Sequence, residues 1–198
     1  MCIIIVMHMV AVLSIDADHE TCRREYDERC IGRVPAASEV NMTDPTLREF
    51  IADSGFFSGL APEHLEFLAA NAKRRHLEAG DVLFRHGDDA QHFYLLAGGR
   101  VSVQIAAIEG PALELQELGP QAVLGWSWLI APFKWSFQAR ATTAADVVEF
   151  HGAAILARCE SDPAFGYQLI KRFSNLMSER LHFARRKMIE EWKPPGFA

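Results

Sequence analysis

Residues able to do chemistry are concentrated between positions 123 and 141. Three of the chain's four tryptophans lie there, mixed with a glycine, two serines, a lysine and an arginine. Indole rings can line an apolar pocket, and lysine or arginine can pair with an anionic ligand. Strand-like sequence lies on both sides. We therefore predict a ligand-binding insertion whose candidate pocket residues are Gly125, Trp126, Ser127, Trp128, Lys134, Trp135, Ser136 and Arg140.

No catalytic motif accompanies this stretch. The sequence contains no G-x-S-x-G, H-E-x-x-H, P-loop or G-x-G-x-x-G pattern, so we predict neither an enzyme nor a catalytic residue. The four cysteines, Cys2, Cys22, Cys30 and Cys159, include no C-x-x-C pair. Free thiols in a reducing compartment are expected, with an iron–sulfur cluster as an alternative that the wide Cys22–Cys30 spacing disfavours. No metal site and no resident cofactor is predicted.

Size and charge narrow the class of protein. With 198 residues, about half of them hydrophobic, the chain can form one domain with accessory helices. The net charge of −6 argues against a generally basic nucleic-acid-binding surface. Residues 1–15 are apolar but too short to span a bilayer comfortably, so we predict a cytoplasmic protein without a membrane anchor.

Composition divides the chain into five parts. Residues 1–41 are expected to be a disordered extension or to precede the true start, because Asp44 and Pro45 provide a new helix cap and first helical residue. Residues 42–72 predict N-terminal helices. Residues 73–151 alternate short strands with glycine turns, residues 152–193 predict C-terminal helices, and residues 194–198 form a tail. The fold class is mainly β with flanking helices, an antiparallel β-roll or jelly roll with a long C-terminal helix.

The long helix from Pro163 to Trp192 carries an apolar stripe with steps of three or four residues. Such spacing is close to a heptad repeat, which favours a homodimer through this helix, although packing against the protein's own roll would give a similar stripe. The same helix is locally basic, which indicates a solvated face or a patch for an acidic partner. The predicted dimer residues are Ile170, Phe173, Met177, Leu181, Ala184 and Met188.

The order of elements and the glycine scaffold resemble the cyclic-nucleotide-binding domain of the Crp–Fnr regulator superfamily over about residues 50–193. The matching motifs are Phe57-Ser58-Gly59-Leu60, then Gly80-Asp81-Val82-Leu83-Phe84 with Gly87, and Phe93-Tyr94-Leu95-Leu96 with Gly99-Arg100-Val101-Ser102-Val103. Glycines at these corners suit tight turns that need a positive φ. The resemblance implies a sensor domain in which ligand binding shifts the long helix relative to the roll.

In that family a phosphate-binding cassette would fall on residues 124–140. Its pattern is Gly-Glu, followed later by Arg and a small residue. The Glu binds the ribose hydroxyl, and the Arg pairs with the cyclic phosphate. Gly125 matches the glycine, but Trp126 stands at the Glu position and Trp135 at the Arg position, with Ser136 after it. A buried phosphate would lose its ion pair, so cyclic AMP or cyclic GMP is disfavoured unless Lys134 or Arg140 takes over.

The tryptophans then fill the emptied pocket or line an apolar pocket for another ligand. Haem is a narrower alternative, because relatives sense gases that way, and His76, His86 and His92 lie in the predicted roll. The leading hypothesis is a stand-alone dimeric regulatory domain that acts through an unidentified protein partner or a non-standard ligand. One alternative is a genuine cyclic nucleotide signalling protein. Another is a Crp–Fnr transcription regulator, although no winged helix-turn-helix follows the long helix in this sequence, so no nucleic-acid binding is expected.

Overall fold

Two short helices precede the strands in the computed structural model, which describes residues 45–105 and 112–191, apart from the side chains of Pro45, Lys187, Met188, Glu190 and Glu191. Helix α1 is Pro45–Asp53 and helix α2 is Pro62–Ala70. Each begins with proline, whose fixed φ and missing N–H suit the first turn. The expectations for residues 1–41 and 194–198 lie outside the described residues.

Within the described residues, eight strands form two antiparallel four-stranded sheets. One sheet has the order β1–β8–β3–β6 and the other β2–β7–β4–β5. The predicted fold class is therefore confirmed. The strands are β1 Ala72–Leu77, β2 Val82–Phe84, β3 His92–Gly98, β4 Val101–Ile105, β5 Leu113–Leu118, β6 Val123–Leu124, β7 Gln138–Ala141 and β8 Ala145–His151.

The sheet containing β3 has two buried faces. Neighbouring residues of a strand point to opposite faces of the sheet, so Phe93 and Tyr94 belong to two different aromatic clusters, one on each face. Phe93 packs face to face on Phe150 of β8, with ring centroids 4.5 Å apart, and contacts the C-terminal helix. Tyr94 instead lies near Phe84 of the second sheet, at 6.0 Å. The core therefore has a helix side around Phe93 and a roll interior around Tyr94.

Two C-terminal helices follow the last strand. Helix α3 is Gly152–Ser161 and helix α4 is Pro163–Glu191. Asp162 separates them and caps α4, because its carboxylate accepts a hydrogen bond from the Phe165 N–H at 3.1 Å. The same carboxylate pairs with Arg158 of α3 and with the buried His64 of α2. Among the described residues, no helix is both long enough and apolar enough to cross a membrane.

Side chains along the first half of α4 fix this helix to the rest of the domain. The Phe173 ring is completely buried among Phe56, Phe93 and Trp128. Arg172 donates to the backbone carbonyls of Phe56 at 2.9 Å and Ser58 at 2.6 Å. These contacts pin α4 against the turn that follows α1.

Candidate functional site

Residues 125–137, here called the cassette loop, connect β6 to β7 through turns and contain no helix. The loop is held by backbone hydrogen bonds to the turn after β2. Trp135 N–H donates to Asp88 O at 2.9 Å, and Trp135 O accepts from Gly87 N–H at 2.8 Å. The Lys134 ammonium adds an ion pair with Asp89 at 2.6 Å. The loop is therefore fixed along its second half.

Trp135 is buried inside the roll, with 5% of its surface exposed. Its indole stacks on Phe84, with ring centroids 3.9 Å apart and planes 13° apart, and lies near Tyr94 at 6.4 Å. A Cβ on Gly125 would lie only 2.6 Å from the Trp135 ring, and Gly125 also has a φ of +87°. Both the close approach and the backbone angle require glycine. The indole thus occupies the space above Gly125.

Trp128 belongs to the helix side of the core. Its ring stacks on Phe93 at 5.1 Å and meets Phe173 of α4 edge-on at 5.4 Å. A Cβ on Gly152, the first residue of α3, would lie 3.0 Å from the Trp128 ring. The Trp128 Nε1–H is buried and has no hydrogen-bond partner among the described residues. The structure therefore separates Trp128 from Trp135, although both belong to one loop.

The predicted polar pocket residues do not converge on Trp135. Arg140 lies on β7 between the buried Ala139 and Ala141, so its side chain leaves the roll and donates to Gly80 O at 2.9 Å. Neither Lys134 nor Arg140 sits at the matching family position, and in the structure Lys134 pairs with Asp89 while Arg140 bonds Gly80. The remaining candidates, Trp126, Ser127 and Ser136, are half-buried.

A charge cluster that sequence reasoning missed lies at the edge of the roll interior. The carboxylate of Glu149 on β8 is almost fully buried and pairs with Lys73 at 2.9 Å and Arg75 at 3.3 Å, with His92 at 3.7 Å. Burial raises the Glu149 pKa, but the bonds from Lys73 and Arg75 and the nearby charges lower it more, so the net pKa falls below its usual value. Burial lowers the pKa of His92. The sequence signal for this cluster was a glutamate between two apolar residues, Val148 and Phe150, in the buried centre of β8.

The histidines considered for haem are dispersed. His76 pairs with Asp146 at 2.7 Å and with Glu78 at 3.5 Å, and His92 faces Glu149. Within residues 45–105 and 112–191, no group of three or more His, Cys, Asp or Glu side chains could hold a metal ion. Cys22 and Cys30 lie outside these ranges. Burial raises the pKa of the Cys159 thiol to about 11.

The predicted dimer residues of α4 divide into two sets. Phe173 lies in the domain's own core, so it is not available to a second copy. Ile170 and Leu181 are 48% and 45% exposed, and Met177 and Ala184 are half-buried. The side chain of Met188 lies outside the described residues. The dimer itself stays a prediction.

Comparison with known proteins gives the family of the roll. Residues 74–162 match the family model of the cyclic nucleotide-binding domain. A stretch of 70 residues is 40% identical to the acetyltransferase Pat of Mycolicibacterium smegmatis, covering 35% of this chain and 21% of that protein. A stretch of 72 residues is 35% identical to the cyclic AMP receptor protein of Thermus thermophilus, covering 36% and 33%. The matched stretches thus span about a fifth and a third of those proteins.

Solved structures agree with this assignment. The catabolite activator protein of Thermus thermophilus is 26% identical with a TM-score of 0.56, and the match covers 67% of this chain and 61% of that one. A cyclic nucleotide-binding domain of Methylobacillus flagellatus has the same fold, with a TM-score of 0.64 at 16% identity and coverage of 77% and 86%. The resemblance drawn from the glycine scaffold is confirmed. Residues 74–162, less than half of the chain, therefore resemble the cyclic nucleotide-binding domain in sequence, and the fold is that of its solved members.

Proposed function

We propose that this protein is a regulatory domain whose cassette no longer holds a cyclic nucleotide and whose output is contact with another protein. One observation carries the proposal. The Trp135 indole lies on Gly125 and stacks on Phe84 at 3.9 Å. The resemblance to the family assigns the phosphate-binding arginine to this position. A phosphate there would have to displace an aromatic side chain that is packed into the core.

Electrostatics support the same conclusion. A buried phosphate requires cations or oriented N–H groups, which an arginine or a helix N-terminus can provide. The cassette loop contains no helix, and its lysine pairs with Asp89. Arg140 points out of the roll. A cyclic phosphate would therefore lose its water shell without gaining a charged partner, which is unfavourable.

Isothermal titration calorimetry with cyclic AMP and cyclic GMP tests this proposal. We expect no binding tighter than roughly 10 μM, which corresponds to about −7 kcal/mol. Tryptophan emission, recorded during the same titrations, should stay unchanged because no indole moves. Affinity in the low micromolar range for either nucleotide would overturn the proposal.

Genuine cyclic nucleotide signalling is the second candidate. The match of residues 74–162 to the family model and the similarity to a cyclic AMP receptor protein favour it. In this case Trp135 would have to leave its contact with Phe84, so binding would be accompanied by a large change in tryptophan emission. An enzymatic function has no support from the acetyltransferase relative, because the match covers only 21% of that protein. The absence of enzymatic activity stays a prediction.

A further inference from the structure

Two cavities adjoin along one face of α4, outside the cassette loop. One has a volume of about 500 Å³ and lies between β5 and α4. The other, of about 380 Å³, lies between α4, the turn after α1 and the segment before β6. Ala122, Glu179 and Arg180 line both cavities, so they form one continuous groove, here called the α4 groove.

The groove is basic in a chain of net charge −6. Its described lining side chains include three arginines, Arg172, Arg180 and Arg186. The acidic residue among them is Glu179. Three guanidinium groups and one carboxylate leave a local excess of positive charge. The negative net charge of the protein repels an acidic ligand at long range. Such a ligand would therefore be held by short-range contacts with the groove.

Two of these guanidinium groups have only neutral hydrogen-bond acceptors among the described residues. Arg180 donates to the side-chain carbonyl of Gln116. It also donates to the backbone carbonyl of Val123, at 3.3 Å. Arg172 donates to the backbone carbonyls of Phe56, Ser58 and Gln168. Burial lowers the pKa of both guanidinium groups, and Glu179 offsets part of that effect at Arg180. Partly buried cations are usually paired with a carboxylate or phosphate. Among the described residues, Arg172 and Arg180 have hydrogen bonds to carbonyl groups instead.

The shape of the groove selects an extended ligand. From residue 172 to residue 186, α4 advances about 21 Å at ~1.5 Å per residue. Six residues of extended peptide cover about 20 Å at ~3.3 Å per residue. Exposed amide side chains, Gln121 and Asn175, stand along the groove and can bond a peptide backbone. The exposed rim also carries Phe183, an apolar contact for a side chain of the ligand.

We infer that the α4 groove binds an extended acidic peptide segment of a partner protein. The inference deepens the proposed function by naming the chemistry of that partner, and it rests on the proposal that the output is protein contact. The acidic side chains of the peptide pair with Arg180 and Arg186, while its backbone bonds the amide side chains.

Fluorescence anisotropy with a dye-labelled peptide of six glutamates, at low salt, tests the inference. We expect saturable binding that weakens as salt is added, while peptides of six lysines or six glutamines do not bind. Arg186→Gln should weaken binding roughly threefold or more, the effect of removing one exposed ion pair. Arg185→Gln is the matched control, because Arg185 is an exposed neighbour of equal charge that lines neither cavity.

Hydrogen exchange locates the peptide-binding site independently of the variants. Peptide binding should protect backbone amides in residues 116–123 and 172–186 and leave tryptophan emission from the cassette loop unchanged. Lack of binding by the glutamate peptide, equal losses in the Arg185 and Arg186 variants, or protection confined to the cassette loop would each overturn the inference. Tighter binding of a single-stranded oligonucleotide of equal charge would overturn it in favour of nucleic acid. Nucleotide binding in the calorimetry would contradict the proposed function alone, because that titration does not depend on the groove.

Discussion

At the scale of single residues, Gly125 and Trp135 fit together closely enough to fix each other's identity. A side chain on Gly125 would collide with the indole, and a smaller residue at 135 would remove the closer of the two rings that stack on Phe84, leaving Tyr94 at 6.0 Å. Trp126, nine residues earlier, is only half-buried. The two tryptophans at the altered family positions therefore contribute differently to stability.

Replacement of Trp135 by alanine should lower the free energy of unfolding by about 3–5 kcal/mol, the usual range for removing a large buried aromatic ring. Trp126→Ala, as the matched control in the same loop, should lower it by less, about 1–2 kcal/mol, because less of its surface is buried. Urea denaturation of both variants measures the difference. Equal losses would contradict the assignment of Trp135 to the roll interior.

The double variant Trp126→Glu with Trp135→Arg restores both polar groups of the family pattern. We expect a gain of cyclic nucleotide affinity in calorimetry, because the phosphate regains an ion pair and the ribose regains its acceptor. Circular dichroism must show that the variant is folded. A folded variant without any gain would mean that Trp126 and Trp135 do not stand at the Glu and Arg positions.

At the scale of elements, Glu149 joins three strands. It lies on β8, while its partners Lys73 and Arg75 lie on β1 and His92 on β3. Because the folded-state pKa of Glu149 is depressed, its charge stabilises the fold above the pKa of the unfolded chain. That contribution is lost as the pH falls through the folded-state value.

Glu149→Gln should therefore cost about 1–2 kcal/mol at neutral pH, between the values for exposed and buried ion pairs. The difference from the unmodified protein should begin to shrink as the pH falls below about 4, the ordinary glutamate pKa at which the unfolded chain takes up a proton, and should disappear once the pH has passed the lower folded-state pKa. Urea denaturation at a series of pH values measures this. A difference that stays constant down to pH 3 would show that the carboxylate charge is not responsible.

Helix α4 supplies the second prediction at this scale. Ile170 and Leu181 are exposed at the predicted spacing, whereas Phe173 is used by the core. If the helix forms the expected dimer, Leu181→Glu should shift the mass measured by light scattering to that of a monomer, because two carboxylates would face each other. Ile189→Glu is the control, since Ile189 is exposed but falls outside the seam spacing. Loss of the dimer in the control alone would reject the predicted seam.

At the scale of the whole molecule, the roll was predictable because its turns are encoded locally. Gly80, Gly87 and Gly99 all have positive φ, as expected for tight corners. Burial was harder to predict wherever distant elements decide it. A dimer seam repeats every 3.5 residues and a core-facing stripe every 3.6 residues, and these periods are too similar to distinguish in one helix. Phe173 was therefore assigned to the dimer seam, whereas it lies in the core.

The contacts within the candidate site could not be predicted from the sequence, and its assignment as a binding site stays a prediction. Alignment with the family pattern assigned Trp126 and Trp135 to the cassette. Nothing in the sequence near Trp128 indicates that its ring lies on the other side of the sheet and contacts Phe173. Arg140 is a case in which a signal existed, because Ala139-Arg140-Ala141 alternates in the manner of a strand with its charge outside. Glu149 was missed because its three partners come from strands far apart in sequence.

The packing of Trp135 against Gly125 also bears on how readily such a chain could regain a nucleotide site during evolution. Trp135→Arg alone would place an unpaired guanidinium beside Phe84 and Tyr94, which should lower the free energy of unfolding by several kcal/mol. The site would still lack the glutamate that binds the ribose. Trp126→Glu alone would restore one acceptor while the indole still filled the site. Each single step is unfavourable or without effect, so return requires two changes together. On the proposed function, a nucleotide site would therefore form only when both positions change, and we expect the single Trp135→Arg protein to be less stable than the double variant bound to its nucleotide.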